Sequence, residues 1–169
     1  MRPRRATPGG AKSATDQSPA SPTVLAVRML ARREYSRAEL TQRLMRKGIA
    51  RDDVERALDE LAAGGYLSDA RYAQAVVAQR SGRFGKRAIA YALREKGIAA
   101  PEANAAMAPL AATDELADAT ALWQQRFGTA PANQKEKARQ VRFLQSRGYG
   151  FSVVLRVLRT AGTLADEDT

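Results

Sequence analysis

Apolar residues recur along the chain at helical spacing, and the same pattern occurs three times. Each copy is centred on a glycine, Gly48, Gly97 or Gly148, with a leucine four residues before it and apolar residues six, nine, ten and thirteen residues after it. Such positions form one apolar stripe on a helix. A long period with many matched positions indicates tandem supersecondary units. The stripes are Val54, Ala57, Leu58 and Leu61, then Ala103, Ala106, Met107 and Leu110, then Val154, Val157, Leu158 and Ala161.

Each copy predicts three helices. The glycine suits the left-handed residue that ends a helix, and the Lys or Arg before it suits the negative helix end. Ser36 and Glu39 fit a capping box at the start of one such helix. A further helix is predicted upstream in each copy, over residues 23–34, 69–80 and 113–126.

The pattern therefore predicts an all-α fold of three tandem three-helix repeats that form an elongated, curved body. The repeats cover residues 24–65, 68–111 and 113–161. A disordered basic tail rich in Arg, Ser and Pro is predicted over residues 1–22, and an acidic tail is predicted over residues 162–169. No stretch shows the alternation that is typical of a strand.

The composition removes most catalytic chemistry. The 169 residues include no Cys and no His, which excludes disulfides, thiolate nucleophiles and the commonest acid–base group at neutral pH. The acidic pairs Asp52/Asp53 and Asp114/Glu115 fall at predicted helix starts, where they favour the positive end of the helix dipole. We therefore expect a protein that is not an enzyme and that needs no cofactor and no metal.

Charge follows the same period. The formal net charge of +10 attracts polyanions such as nucleic acid. Residues 24–50 hold seven basic and two acidic residues, and residues 71–97 and 135–160 each hold seven basic residues and one acidic residue. The helix before each glycine is therefore basic. No apolar run approaches the length of a membrane span, so no membrane partner is expected.

Arginine residues on the basic helices are the candidate binding residues. Arg87 and Arg94 are seven residues apart and share a helical face, and arginine pairs three residues apart occur in the other two copies. We predict a row that faces phosphate or carboxylate groups; the alternative is that these charges only solvate exposed faces. The row comprises Arg43, Arg46, Arg83, Lys86, Arg87, Arg94, Arg139 and Arg142.

Three stretches of the chain stand in the order and spacing of a known family. They are EYSRAELTQRLMRKGI at 34–49, VERALDELAAGGYLSDARYAQAVV at 54–77 and RFGKRAIAYALREKGI at 83–98. On these residues the sequence resembles the RecX regulatory proteins of bacteria, over about residues 24–161. The resemblance implies three tandem three-helix repeats, the same fold that the periodicity predicts.

The resemblance also implies a partner, the RecA filament on single-stranded DNA. Members of the family lie along the helical groove of that filament and inhibit ATP hydrolysis, strand exchange and repressor cleavage. The resemblance thus implies a cytoplasmic modulator of RecA in DNA repair and the SOS response. We expect a monomer, and a weak direct contact with DNA is left open.

One family motif contains Asp69, Arg71 and Tyr72. We expect Tyr72 to pack in a core. Asp69 and Arg71 are expected to pair locally near a helix start rather than to touch the filament.

A direct DNA-binding protein is the main alternative, because three-helix units resemble helix-turn-helix modules. The helix after the glycine would then be the recognition helix, yet residues 51–70 hold six acidic and two basic residues. Phosphate repels such a helix. A helical scaffold for an unrelated protein is the other alternative.

Overall fold

The computed structural model describes residues 21–167, and within this range the regular structure is entirely helical. Nine α-helices and one 3-10 turn follow one another, so the all-α prediction is confirmed. None of the helices over these residues is long and apolar enough to cross a membrane. The helices are α1 (Pro22–Leu30), α2 (Arg37–Met45), α3 (Arg51–Ala63), α4 (Asp69–Arg80), α5 (Lys86–Glu95), α6 (Ala100–Met107, followed by the 3-10 turn Ala108–Ala112), α7 (Glu115–Arg126), α8 (Gln134–Ser146) and α9 (Phe151–Glu167).

The first helix of the first repeat is shorter than its pattern predicts. Helix α1 ends at Leu30, whereas the apolar spacing predicts a helix over residues 23–34. The residues after Leu30 form the turn that carries the chain to Ser36, the N-cap of α2. The following first helices, α4 and α7, lie close to their predicted ranges.

The two predicted tails differ in what can be described. Helix α9 continues to Glu167 and takes in most of the segment 162–169, because Gly162 keeps a helical conformation and Ala and Leu favour a helix. The segment 1–22 lies outside the described residues except for its last two.

Each repeat closes around its own core, in which the first and third helices are in contact. Residues of the predicted stripes, such as Val54 and Leu58, are fully buried. Three aligned alanines, Ala26, Ala73 and Ala119, are also fully buried on the first helices. Their small side chains allow neighbouring helices to lie close together. The prediction of three tandem three-helix repeats is confirmed.

The central glycines end the second helices as predicted. Gly48, Gly97 and Gly148 have φ values of 85°, 72° and 84°, which an L-residue with a side chain rarely adopts. The amide of the residue after each glycine then donates to the carbonyl of the leucine four residues before the glycine, as in the 3.1 Å bond from Ile98 N to Leu93 O. Each of these turns therefore closes its helix with a left-handed glycine.

Consecutive repeats meet through hydrogen bonds to main-chain groups, and we call each such set of bonds a joint. In the first joint, Ser36 Oγ donates to Lys96 O at 2.7 Å, and Arg37 N donates to Asp69 Oδ1 at 2.7 Å. The carbonyl belongs to the residue just before the glycine Gly97. The carboxylate belongs to the first residue of α4 and satisfies an amide at the open start of α2.

The second joint repeats this chemistry at equivalent positions. Gly85 N donates to Arg147 O at 2.8 Å, and Lys86 N donates to Glu115 Oε1 at 3.2 Å. Glu115 opens α7 as Asp69 opens α4. The starts of α2 and α5 thus lie against the end of the second helix in the next repeat.

The glycines make this seating possible. A methyl group built on Gly97 would lie 2.6 Å from Cβ of Ala38, and one built on Gly148 would lie 2.6 Å from the main-chain nitrogen of Ala88. Both alanines lie in the first turn of the helix that is seated there. The same glycine therefore ends one helix and leaves room for the start of another.

A partly buried carboxylate, that of Glu39, bridges two cations at the first joint. Glu39 Oε1 lies 3.1 Å from Arg33 and 3.3 Å from Lys96 Nζ. Burial alone would raise the pKa of Glu39, but hydrogen bonds from the two cations outweigh it and hold the pKa below its ordinary value. The predicted capping box is therefore half formed: Ser36 Oγ accepts from Glu39 N at 3.1 Å, while the Glu39 carboxylate serves the joint.

Contrary to the prediction from the sequence, the motif residues Asp69 and Arg71 do not pair with each other but with different partners. Asp69 accepts from the amide of Arg37 in the first joint. Arg71 Nε lies 2.9 Å from Glu34 Oε1, and its other nitrogens donate to two carbonyls of the preceding turn. Tyr72 is buried in the second core, as expected. The motif thus connects the first two repeats.

Candidate anion-binding surface

The eight predicted binding residues lie on three helices and one turn. Seven of the side chains are exposed, and Lys86 is half-buried at the start of α5. They are Arg43 and Arg46 on α2, Arg83 in the turn before α5, Lys86, Arg87 and Arg94 on α5, and Arg139 and Arg142 on α8.

These eight cations differ from six other basic residues of the described chain, which are held in ion pairs. Within residues 21–162, none of the eight has a carboxylate within ion-pairing distance, whereas Arg33, Arg37, Arg51, Arg56, Arg71 and Lys96 are all paired. Unpaired cations that lie near one another raise the local positive potential. An anionic partner would relieve it.

The densest group of these charges lies in a cleft between α1 and α2, which we call the α1/α2 cleft. It has a volume of about 450 Å³, and no carboxylate lines it. Two of the predicted residues are there, together with three cations that the row does not include. The five are Arg28, Arg32, Arg43, Arg46 and Lys47.

A buried aromatic ring fixes part of this cleft. Tyr35 is 8% exposed and belongs to the first core. The guanidinium of Arg33 lies 3.6 Å from the ring centroid, and that of Arg43 lies 5.2 Å from it. Cations are attracted to the face of an aromatic ring. Arg43 is therefore held at the edge of the cleft rather than free to extend.

The other predicted residues do not continue one row. Arg83 lies in a second cleft of about 530 Å³, with Arg126 and Arg147. Arg87 lies with Arg80 in a third cleft, of about 520 Å³. The remaining four lie outside all three clefts, among them Arg139, whose guanidinium is 5.3 Å from the Phe127 ring centroid.

The repeat explains this division. Arg43 and Arg46 correspond, at the 49-residue spacing of the glycines, to Ala92 and Glu95 in the second repeat. The basic positions are thus set differently on each second helix, although the apolar positions coincide. The cations therefore do not form one continuous row.

Several cations of these clefts are absent from the predicted row. Arg28 and Arg32 are four residues apart, a helical spacing that could have indicated a shared face on α1. Lys47 and Arg147 stand beside the turn glycines, where the pattern predicts a helix-ending role. Both residues nevertheless line clefts.

Comparison with known families covers most of the described chain. Residues 24–61, 68–107 and 113–158 match the first, second and third three-helix domains of RecX. The matched ranges coincide with the three repeats seen in the structure.

Individual relatives and solved structures agree. The chain is 45% identical to the regulatory protein RecX of Leptothrix cholodnii, over 85% of this chain and 90% of the relative. It is 40% identical to that of Chromobacterium violaceum, with the same coverage. A crystal structure of regulatory protein RecX superposes with a TM-score of 0.70 at 19% identity, covering 82% of this chain and 71% of the other. The structure of RecX from Lactobacillus salivarius gives a TM-score of 0.66 at 17% identity, covering 84% and 95%. These matches show that the chain belongs to the RecX family of regulatory proteins.

Proposed function

We propose that this protein binds the RecA filament on single-stranded DNA and inhibits its ATP hydrolysis, strand exchange and repressor cleavage. Membership of the RecX family carries the proposal. The protein would act in the cytoplasm, as a monomer, on DNA repair and the SOS response. It would do so by binding alone, without a cofactor and without catalysis of its own.

The distribution of charge supports a polyanionic partner. Cations that have no carboxylate of their own keep their full potential for a phosphate or a partner carboxylate, and they release counterions when they bind one. Their distribution over all three repeats suits a partner that repeats along an axis. Once one repeat has docked, the effective concentration of the next contact is high.

The test is RecA ATP hydrolysis on single-stranded DNA with increasing amounts of this protein. We expect the wild-type protein to lower the hydrolysis rate at saturation. The double variant Arg87→Glu/Arg94→Glu should need a roughly 10- to 100-fold higher concentration for half-inhibition, because two favourable contacts become repulsive.

A matched control is the double variant Arg51→Glu/Arg56→Glu. It changes the net charge by the same amount, but on α3, where both arginines already pair with carboxylates. We expect it to inhibit within a few-fold of wild type, since exposed pairs contribute little. Circular dichroism checks that both variants keep their helices. If saturating wild-type protein changes neither the hydrolysis rate nor filament disassembly, the proposed function is wrong.

Direct reading of duplex DNA is the less favoured function. In a helix-turn-helix arrangement α3 would enter the groove, yet its first turn carries Asp52 and Asp53, and the helix has basic residues only at Arg51 and Arg56. Both arginines are paired with acids of the same helix. Tight, sequence-selective binding to duplex DNA without RecA would favour this alternative over filament binding.

A further inference from the structure

The third cleft, which contains Arg80 and Arg87, differs from the other two in having exposed aromatic rings. We call it the aromatic cleft and define it by Arg80, Phe84, Arg87, Tyr91, Gln145 and Phe151. Its volume is about 520 Å³, and no carboxylate lines it. This size lies within the range of ligand-binding clefts, roughly 300–1,000 Å³.

Two of its rings face solvent. Tyr91 is 54% exposed and Phe151 is 56% exposed. Single exposed apolar residues are normal on a protein surface. Two large rings on opposite repeats that border the same cleft are different, because together they offer two flat faces to one ligand.

Cations lie close to two rings of the cleft, Tyr91 and Phe84. Arg87, Tyr91 and Arg94 are four and three residues apart on α5, so they share one helical face. The Arg94 guanidinium lies 5.4 Å from the Tyr91 ring centroid, and that of Arg80 lies 5.0 Å from the Phe84 centroid. Within the described residues, none of the three arginines pairs with a carboxylate.

Two residues of the second joint, Ala88 and Gly148, line the cleft. The hydrogen bond from Gly85 N to Arg147 O and the close contact of Gly148 with Ala88 fix the two repeats against each other there. The rings on either side are therefore mounted on connected main chain. A preformed site loses less conformational entropy when a ligand binds.

Flat apolar faces flanked by cations match one class of ligand, a nucleic-acid strand whose bases are unpaired. We propose that the aromatic cleft binds single-stranded nucleic acid, with bases stacked on Tyr91 and Phe151 and phosphates facing Arg80, Arg87 and Arg94. A duplex hides its base faces, so it would meet only the cations. The proposal goes beyond filament binding because it needs no RecA and is tested without it.

The first experiment measures fluorescence anisotropy of a labelled short oligo-dT strand with the full-length protein at low salt. We expect Tyr91→Ala/Phe151→Ala to weaken binding roughly 10- to 100-fold, because stacking contributes substantially for each base. Tyr66→Ala is the matched control, since Tyr66 is 65% exposed but lies in the turn between α3 and α4. It should bind as wild type does. Tyr91→Phe keeps the ring and should also bind as wild type does.

A second readout locates the contact directly. A strand that carries 5-iodouracil forms cross-links to aromatic side chains on which the modified base stacks. We expect mass spectrometry to find the cross-link on Tyr91 or Phe151 of the wild-type protein. This measurement does not depend on the stability of any variant.

Three results would overturn the proposal. One is that the wild-type protein does not bind the strand at low salt, or binds a duplex of the same length equally well. Another is that Tyr91→Ala/Phe151→Ala binds the strand as Tyr66→Ala does. The third is that this double variant loses only inhibition of RecA, which would assign the cleft to a protein partner. Each of these results would overturn the proposal even if the wild-type protein inhibits the RecA filament.

Discussion

The turn glycine has a different neighbour in each repeat, although its backbone conformation is the same. Gly48 has no atom within 4 Å of the place where a side chain would begin, whereas Gly148 lies against the main chain of Ala88. Two effects that are usually combined, backbone strain and overpacking, are thus separated within one chain.

This separation leads to a prediction. Gly48→Ala should lower the free energy of unfolding by about 1 kcal/mol, because it forces an alanine into the left-handed region. Gly148→Ala should lower it by about 2 to 4 kcal/mol, since overpacking of the second joint adds to the same strain. Urea unfolding followed by circular dichroism measures both variants. Equal destabilisation would mean that the second joint can open without cost.

Sequence reasoning finds one half of this residue's role. The positive φ of Gly148 is a local property, so the position after a basic residue at the end of an apolar stripe is enough to predict it. The contact with Ala88 joins residues sixty positions apart, and alanine carries no signal in its spacing. For the same reason, the buried hydrogen bond from Trp123 Nε1 to Gln140 Oε1, 2.7 Å long, is invisible in the sequence.

At the scale of elements, the helices α2 and α5 are fixed at their starts by the following repeat. The start of α2 is satisfied by the second repeat, and the start of α5 by the third, through one carbonyl and one carboxylate each. Open helix starts need such partners. The periodicity predicts which helices exist, but it does not show that the next repeat completes their caps.

The ionic group at the first joint gives a prediction with a defined pH dependence. Glu39→Gln should lower the melting temperature at pH 7, because Arg33 and Lys96 lose the partly buried carboxylate that they share; a loss of about 1 to 2 kcal/mol is expected. The pKa of Glu39 is lower in the folded protein than in the unfolded chain. Its contribution is therefore present above the unfolded value, near 4.5, and is lost as pH falls through the lower folded value.

The measurement compares melting curves of wild type and Glu39→Gln at pH 7 and at pH 3. The difference between the two proteins should shrink at the lower pH. Glu55→Gln serves as the control, since Glu55 pairs with Arg51 at an exposed site on α3 and should change little at either pH. A Glu39 effect that stays constant with pH would contradict the assigned role of its charge.

At the scale of the whole molecule, the basic surface is divided. The pattern predicts a single row, but the structure places four of the eight cations in three clefts and the other four outside them, and it adds Arg28, Arg32 and Lys47 to the first cleft. The sequence could show that the second helices are basic. It could not show which faces meet, because that depends on how each helix is rotated against its neighbours. Whether the body is elongated and curved, as the repeat predicts, stays a prediction.

The α1/α2 cleft can be tested with a simple polyanion. Arg43→Glu/Arg46→Glu should leave a heparin column at a clearly lower salt concentration than wild type, because unpaired cations in a carboxylate-free cleft release counterions on binding. Arg51→Glu/Arg56→Glu changes the net charge equally and should elute between the two. Elution of both variants at the same salt concentration would mean that only net charge matters.

The two ends of the described array differ from the joints between its repeats. At the exposed end of the first repeat, Pro22 stands where Asp69 and Glu115 supply the carboxylate of the joints. At the other end, α8 begins fourteen residues before its glycine instead of eleven. The amide of Lys137 is the counterpart of the Arg37 donor, but it donates to Asn133 O at the start of its own helix, at 2.9 Å. Each end of the described array thus lacks one hydrogen-bonding group of the joint, so the contact that connects consecutive repeats would be incomplete between one copy of the chain and the next.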